Sequence, residues 1–399
     1  MSPQTSENRV HNRAGVGLLT FSHVVNDLYQ GAVPAIIPFL VAEYHYSYLA
    51  VTGITLAATF ISSVAQPAFG MLTDRRPLPW LLVAGMLVAA AGVAISGIAP
   101  SYALVWLAIA VSGAGIAAYH PEASRAARLA AGASAQGMSW FALGGNVGFA
   151  LAPVTVTPIL LATGLHGTVL LILPAAVAAV IVWPLLHRLV PDTAGVRVIG
   201  VSGNSNDDWR SFIWLTGVVI CRSILFVGMS SFLALYVISH FHQSTEVGSA
   251  ALVVFTAAGA VSTIAGGWLA DRYGRLPTIR IGYLLALPGL LGLVLAPTLA
   301  TAFVAAVVCG IGIYIPFSVH TTLGQEYLPN RLGTASGVTL GLAVSAGGIV
   351  APALGALADA HGLGTALAAL CIFPVVALLA TTHLRETHRT RTRAAAVMQ

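Results

Sequence analysis

Apolar runs of about 20 residues follow one another along nearly the whole of this 399-residue chain. A helix needs about 20 apolar residues to cross the hydrocarbon core of a membrane. Only helices and closed barrels satisfy their backbone hydrogen bonds in lipid, and these runs are too long for barrel strands. Charged residues make up only 8% of the chain, against about 25% in a soluble domain. The runs therefore predict an all-α membrane protein.

We count twelve runs, six on each side of a polar stretch near the middle of the chain. This stretch predicts a cytoplasmic linker at 191–209, between an N-terminal bundle at 1–190 and a C-terminal bundle at 210–399 with a short tail. The first run is too long and too polar for a cleavable signal peptide. The predicted helices are about 15–41, 49–72, 79–98, 102–127, 133–162, 168–189, 210–239, 246–270, 276–296, 299–325, 332–358 and 364–384.

The basic residues predict the orientation of these helices. All 18 are arginines, and only Arg222 lies inside a predicted helix away from its ends. If the N-terminus is cytoplasmic, the others fall in inner loops, at inner helix ends or in the two tails. This bias places both termini in the cytoplasm. The net charge of +5 then reflects topology, and we expect no nucleic-acid partner.

The sequence repeats itself after about half its length. GMLTDRRPLP at 70–79 recurs as GWLADRYGRLP at 267–277, and GAG at 113–115 recurs as GIG at 310–312, both 197 residues further on. A little later, GGNVGFALAP at 144–153 resembles AVSAGGIVAP at 343–352. Similar elements in the same order indicate two parallel repeats of six helices.

The repeated loop resembles the signature loop of the major facilitator superfamily, although a generic arginine-rich inner turn is the alternative interpretation. The resemblance implies two pseudo-symmetric six-helix bundles that alternate access to a central cavity. In the family, the aspartate of this loop pairs with neighbouring helix ends at the inner gate. Ile109 stands where drug–proton antiporters of the superfamily often carry arginine, so proton coupling would need other groups. We expect gating roles for Gly70, Asp74, Arg75, Gly267, Asp271 and Arg272, and for Glu326 and Arg331 after helix ten.

Helix one carries a polar stripe that lies near the middle of the membrane. His23, Asn26, Asp27 and Gln30 follow helical spacing, so they share one face. Charged side chains at this depth persist mainly where they pair or line water. Asp27 could therefore be a protonation switch with His23 beside it. The alternative is a structural hydrogen bond to helix five, for example to Asn146.

Helix four ends in the sequence YHPEASRAAR at 119–128. Pro121 interrupts the backbone hydrogen bonds, which membrane helices tolerate where neighbours or water satisfy the freed groups. Glu122 and Arg125 are three residues apart and can pair, and His120 adjoins the proline. The cluster favours a proton relay or gate, and an ion pair at the inner surface is the alternative.

Helix seven carries Arg222 near its middle, with Phe226 and Tyr236 further along the same face. A permanent cation at this depth needs a counter-charge. Either Asp27 or Glu122 of the first half supplies it, or an anionic ligand does.

These clusters together resemble the fosmidomycin-resistance proteins, bacterial exporters of a small anionic phosphonate. The resemblance includes His-x-x-Asn-Asp at 23–27 and a Phe-His-Pro-Glu-x-Ser-Arg pattern at 119–125, in which Tyr119 replaces Phe. It also includes Gln-Glu-x-Leu-Pro-x-Arg-x-Gly-x-x-Ser-Gly at 325–337, and a cation in helix seven that Arg222 provides. It implies proton-driven efflux across the bacterial inner membrane.

We therefore expect a proton-coupled antiporter for a small anion, with an importer or exchanger of an organic-anion metabolite as the alternative. A membrane receptor that does not transport is a third class. No Gly-rich phosphate loop, metal-ligand spacing or nucleophile motif points to an enzyme. We expect no cofactor and no metal, and a monomer in the lipid bilayer. The expected proton-coupling residues are Asp27, Glu122, His23 and His120; the expected substrate-binding residues are Arg222, Asn26, Gln30, Tyr119, Arg125, Phe226, Tyr236 and Asn146.

Overall fold

The computed structural model describes residues 12–131, 135–186, 207–329 and 331–386. Within these ranges all regular structure is helical. The helices are α1 Arg13–Tyr44, α2 Tyr48–Arg75, α3 Trp80–Ser96, α4 Tyr102–Ala131, α5 Ala135–Thr163, α6 Ile172–Val182, α7 Trp209–His240, α8 Thr245–Tyr273, α9 Arg275–Val294, α10 Leu299–Tyr314, α11 Phe317–Tyr327, α12 Leu332–His361, α13 Leu363–Leu370 and α14 Ile372–Thr381.

These helices make the twelve crossings that the apolar runs predict. Ten segments are long and apolar enough to span a membrane, and α3 and α12 supply the other two. The sixth crossing surrounds α6 with two 3-10 segments, Leu165–Leu171 and Trp183–Leu185. Two crossings combine a pair of helices, α10 with α11 and α13 with α14. The predicted fold class is confirmed.

Helix ends follow local chemistry that hydropathy alone does not reveal. The predicted tenth helix is not continuous, because Pro316 lacks an N–H and begins a new helix, α11. The side chain of Asn12 accepts a hydrogen bond from Gly15 N, 2.8 Å away, and begins α1. Asp208 begins α7 in the same way through Ser211 N, at 3.0 Å. Most of the predicted linker, at 191–206, and the chain ends at 1–11 and 387–399 lie outside the described residues.

The sequence repeat is also a repeat of contacts. A Cβ on Gly115 of α4 would overlap the backbone of Ala89 in α3, and one on Gly312 of α10 would overlap Ala286 in α9. Gly115 and Gly312 are 197 residues apart along the chain, and so are Ala89 and Ala286. Gly113 and Gly310 likewise lie against carbonyl oxygens of α2 and α8. Small residues let membrane helices approach closely, so the glycines build the same skeleton in each half.

The two halves contact each other along α2 and α12, and these contacts include the end of the bundle opposite Arg13. The arginine distribution predicts that this end faces outward, and we call it the predicted outer end. Asp359 of α12 accepts hydrogen bonds from Tyr48 N (2.8 Å) and Leu49 N (2.9 Å), the first N–H groups of α2. A Cβ on Gly355 would overlap the Thr52 side chain. A carboxylate at a helix N-terminus is favourable, so this contact joins the halves there.

Candidate functional site

The first half brings together three titratable side chains near the middle of α1 and α4. Asp27 Oδ2 lies 3.3 Å from His23 Nε2, and Asp27 Oδ1 lies 3.1 Å from His120 Nε2. We call these three residues the Asp27 triad. The three side chains could also act as metal ligands, since their ligand atoms lie within 4.8 Å of one another. The helical spacing predicts the His23 contact, whereas only the fold brings His120 to Asp27.

The surroundings of the triad fix its orientation. His23 Nδ1 lies 2.7 Å from the Phe141 carbonyl oxygen, and the two rings stack with centroids 4.3 Å apart. Asn26 donates from Nδ2 to Asp27 Oδ1 at 3.0 Å. Gly145 of α5 packs on the carboxylate, and a Cβ there would lie 2.5 Å from Asp27 Oδ2. The triad therefore fills a pocket that leaves no space for a larger residue at 145.

The second carboxylate of this half is paired within its own helix. Glu122 is fully buried, and both of its oxygens accept hydrogen bonds from the Arg125 guanidinium, the Nε contact measuring 3.0 Å. His120 Nδ1 lies 2.9 Å from the Ile116 carbonyl oxygen. Each acidic group in the middle of the first half thus has a nearby basic partner of that half.

Arg222 of α7 is buried in the second half without such a partner. Its side chain is 3% exposed, and its Nε donates to the Ile313 carbonyl oxygen at 2.9 Å. The guanidinium carbon lies 4.4 Å from the Phe317 ring centroid, with the rings of Tyr314 and Phe226 also nearby. Within the described ranges, no carboxylate forms an ion pair with it. The two sequence-based candidates, Asp27 and Glu122, are bound elsewhere.

A cavity lies between the two halves, with an empty volume of about 460 Å³ that includes the part open to solvent. Gln30 of α1 lines it one turn past Asp27, and Phe226 of α7 lines it one turn past Arg222. Asp27 and Arg222 both lie about 20 Å along their helices from the first residue. Asp27 and Arg222 therefore lie in opposite halves at similar depth, each one helical turn from a residue that lines the cavity.

The structure does not bring every predicted binding residue to this cavity. Tyr119 is fully buried beside Ser22, with their hydroxyl oxygens 2.7 Å apart. Tyr236 is also buried, and its ring stacks on His240 near the predicted outer end. Asn146 is half-buried on α5 and forms no hydrogen bond to Asp27 in the described part of the chain.

The predicted gating residues lie at the end of the bundle opposite the predicted outer end. Arg272 stacks against Trp268 at 5.5 Å, and Asp271 is exposed. Arg275, which the sequence reasoning missed, instead pairs with Glu326 at 2.6 Å. Arg331 pairs with Asp207 at 3.4 Å. A Cβ on Gly70 would reach only the edge of Pro121, and one on Gly267 would meet open space; the side chains of Asp74 and Arg75 lie outside the described part.

Sequence reasoning also missed the rings around Arg222 that lie on α9 and α11. Phe317 and His320 are three residues apart on α11, a spacing that could have indicated one face. His320 is 2% exposed, its ring lies nearly parallel to Tyr283, and its Nε2 has no hydrogen-bond partner in the part of the chain that the structure describes. Tyr283 donates its hydroxyl to the Val218 carbonyl oxygen at 3.0 Å. The environment of Arg222 is therefore aromatic.

Comparison with known proteins identifies the family. The model of the Major Facilitator Superfamily matches residues 19–352. The chain belongs to the Major Facilitator Superfamily. It is 31% identical over 376 residues to the uncharacterized MFS-type transporter YfnC of Bacillus subtilis, covering 91% of each protein. It is 30% identical over 371 residues to the fosmidomycin resistance protein of Escherichia coli, again covering 91% of each.

A solved structure has the same fold. A bacterial homolog of the human lysosomal transporter Spinster, in an inward-facing and occupied conformation, superposes with a TM-score of 0.76. The match covers 93% of this chain and 96% of that one at 17% identity. The resemblance to the superfamily is thereby confirmed, and the chain is a multi-pass membrane transporter.

Proposed function

We propose that this transporter exports a small anionic, phosphonate-like compound in exchange for protons. The first half would exchange protons at the Asp27 triad, and the second half would bind the anion at Arg222. The two bundles, at 1–190 and 210–399, would rock about the central cavity. We place the protein in the bacterial inner membrane as a monomer, with both termini in the cytoplasm.

The environment of the buried Arg222 guanidinium is the observation that most strongly supports the proposal. Removing a guanidinium from water is costly unless an opposite charge replaces the lost hydration. In the described structure Arg222 has one backbone acceptor and three aromatic rings, but no carboxylate. A phosphonate or carboxylate group in the cavity would supply the missing charge through two parallel hydrogen bonds.

The Asp27 triad supports the proton half of the proposal. A carboxylate between two imidazoles can gain or lose protons without a cofactor. In an exchanger, the triad would take up a proton from outside as the anion leaves and release it to the cytoplasm before the next anion binds. Glu122 remains a second proton candidate, although its pairing with Arg125 also fits a structural ion pair.

The contact at the predicted outer end supports alternating access. Asp359 and the glycines of α12 join α2 there, so access to the cavity in this state would come from the opposite end. Export requires the Asp359 contact to open when the anion and proton sites change occupancy. The gating roles of Glu326, Arg331 and the repeated loops belong to the same proposal.

Binding is tested by a thermal-shift screen of the purified protein with methylphosphonate, fosmidomycin, inorganic phosphate and lactate. A ligand at 100 times its dissociation constant adds about 2.7 kcal/mol of stability. We expect stabilisation by at least one anion, its loss in Arg222→Gln, and its retention in the control Arg280→Gln. Arg280 is suited as a control because it bonds to Thr381, away from the cavity. Equal stabilisation of Arg222→Gln would contradict the anion site.

Direction is tested in proteoliposomes loaded with the stabilising anion. An imposed inward proton gradient should drive labelled anion out and change the lumenal pH at the same time. Uptake of the anion together with protons would replace export by the alternative, import of an organic-anion metabolite. Anion movement that never changes lumenal pH would contradict proton coupling in either direction.

A further inference from the structure

The two histidines of the Asp27 triad use the same ring atom to bind the backbone. His23 Nδ1 lies 2.7 Å from the Phe141 carbonyl oxygen, and His120 Nδ1 lies 2.9 Å from the Ile116 carbonyl oxygen. A carbonyl oxygen can only accept a hydrogen bond. Each Nδ1 must therefore carry a hydrogen, which leaves Nε2 of each ring as the atom that gains or loses a proton.

Both Nε2 atoms face the same carboxylate. They lie 3.3 Å and 3.1 Å from the two oxygens of Asp27. An ionised carboxylate only accepts hydrogen bonds, and a neutral ring protonated at Nδ1 presents a lone pair at Nε2. Each contact is therefore attractive only if one proton lies between the two atoms. This geometry accommodates two protons, one for each contact, which would give the triad a net charge of +1.

The two contacts differ in their access to the cavity. The His23 side chain is 9% exposed, stacks on Phe141, and would touch a Cβ at Gly145. The His120 side chain is 22% exposed and belongs to α4 rather than to the helix of Asp27. Its backbone acceptor, Ile116, lines the cavity. A water molecule in the cavity can thus approach His120 more easily than His23.

The other titratable groups on the packed helices are already bonded or distant. Tyr119 bonds to Ser22, and Glu122 bonds to Arg125. Helix α5 has no titratable side chain between 135 and 163, and Arg222 lies in the other half, on α7, beside the Phe317 ring. The remaining charged residues of α1, α2 and α8 lie at helix ends: Arg13, Glu43, Asp74, Arg75, Glu246, Asp271 and Arg272.

We propose that His120 is the residue at which the triad exchanges its proton with the cavity, while His23 keeps its proton and positions Asp27. This inference rests on the proton coupling proposed above. In the step, the His120 Nε2–H bond breaks and a cavity water takes the proton as hydronium. The electron pair stays on Nε2, and the triad charge falls from +1 to zero. Asp27 Oδ1 then keeps the hydrogen bond from Asn26, whereas the contact between α4 and α1 at His120 becomes repulsive.

The first test observes the protons directly, without transport. Nitrogen NMR of the purified full chain with 15N-labelled histidine distinguishes a protonated from an unprotonated ring nitrogen, and single His→Gln variants assign the signals. We expect Nδ1–H on both rings at every pH and a loss of the Nε2 proton from His120 as the pH is raised. Titration of His23 with a constant His120, or loss of Nδ1–H on either ring, would overturn the inference.

The second test uses His120→Gln and His23→Gln in proteoliposomes. A glutamine amide can still donate to Asp27 but cannot exchange a proton. We expect His120→Gln to lose gradient-driven anion flux by about 100-fold, as when a positioned proton-transfer group is removed, while anion-for-anion exchange remains. His23→Gln should lose less gradient-driven flux than His120→Gln, because its amide can still donate to Asp27 and position it. The reverse order of the two losses would overturn the assignment.

A third measurement distinguishes proton exchange at His120 from metal binding at the triad. Stabilisation of the wild type by Zn²⁺, lost in both glutamine variants, would mark the triad as a metal site and overturn the proton assignment. If His120 titrates as expected but the wild type moves anion without any pH change, the proposed function fails and the proton exchange at His120 stands. If coupled transport is observed and His120 does not titrate, the inference alone fails.

Discussion

The two halves share a skeleton but treat their buried charges differently. In the first half, Asp27 lies between two histidines, and Glu122 is bound by Arg125. In the second half, Arg222 has aromatic rings and a carbonyl oxygen around it. The first half therefore gives each of these buried carboxylates a basic partner, whereas the second half leaves a cation without an acidic partner among the described residues.

The repeat shows where this difference arises. Phe317 stands 197 residues after His120, the same distance that separates the matching glycines of α4 and α10. His120 contacts Asp27 at 3.1 Å in one half, and Phe317 lies 4.4 Å from the Arg222 guanidinium in the other. In each half, therefore, this position of the repeat lies next to the buried charged residue of that half. The backbone contacts are retained, whereas the side-chain contact differs: an imidazole beside a carboxylate in one half and cation–π stacking in the other.

The largest expected effect is a difference between Glu122→Gln and Arg222→Gln in the free energy of unfolding, measured without ligand. Glu122→Gln leaves the Arg125 cation partly buried and without its ionised partner, which should cost about 2–3 kcal/mol. Arg222→Gln removes a cation that has no acidic partner among the described residues, so it should leave stability unchanged or raise it. Thermal unfolding of both variants in the same detergent checks the contrast. A large loss of stability in Arg222→Gln would mean that this half, too, contains its counter-charge.

The second effect comes from the space around the triad. Gly145→Ala places a Cβ 2.5 Å from Asp27 Oδ2 and 2.8 Å from His23 Nε2. Overpacking of this kind costs about 1–3 kcal/mol, and here it should also displace Asp27 and weaken gradient-driven transport. Gly217→Ala on α7 is the control, because a Cβ there has nothing within 4 Å. Normal proton coupling in a folded Gly145→Ala variant would contradict the pocket described for the triad.

The third effect distinguishes charge from shape at Arg222. Arg222→Lys keeps the charge but loses the hydrogen bond to Ile313 and the planar stacking on Phe317. We expect anion affinity to fall by about tenfold, or about 1.4 kcal/mol, measured by titrating the thermal shift. An unchanged affinity would indicate that Arg222 acts only as a point charge.

The smallest effect is expected at the contact between the halves. Asp359→Asn removes the negative charge from the N-terminus of α2 but keeps a side-chain acceptor. Charge at a helix terminus contributes about 0.3–1 kcal/mol. Labelling of a cysteine introduced at Tyr48 should become modestly faster as this contact opens more often. No change in labelling would show that Asp359 does not hold the halves together at that end.

The sequence predicts much of the skeleton because hydrophobic length and repeated glycines are local signals. It also predicts the His23–Asp27 contact, since four residues along a helix return to the same face. The contact of His120 with Asp27 joins two helices, and no spacing along the chain indicates it. The break at Pro316 separates α10 from α11 within an apolar run that reads as one helix.

The group that balances the charge of Arg222 is the feature that the sequence predicts least well. Sequence reasoning offered Asp27, Glu122 or a ligand, because it could not show which carboxylates were already bound. The structure gives both carboxylates partners within the first half. The predicted binding role of Tyr236 was inferred from its helical face, but that face continues to the predicted outer end, beyond the cavity.

The assignment of proton coupling to the first half and anion binding to the second is tested most directly by Asp27→Asn in proteoliposomes. The variant would be assayed for anion-for-anion exchange and for anion flux driven by a proton gradient, with the anion that stabilises the wild type. We predict that exchange continues, because Arg222 is intact, and that gradient-driven flux is lost. Gradient-driven flux at the wild-type rate, with the accompanying change in lumenal pH, would contradict the assignment of proton coupling to the first half.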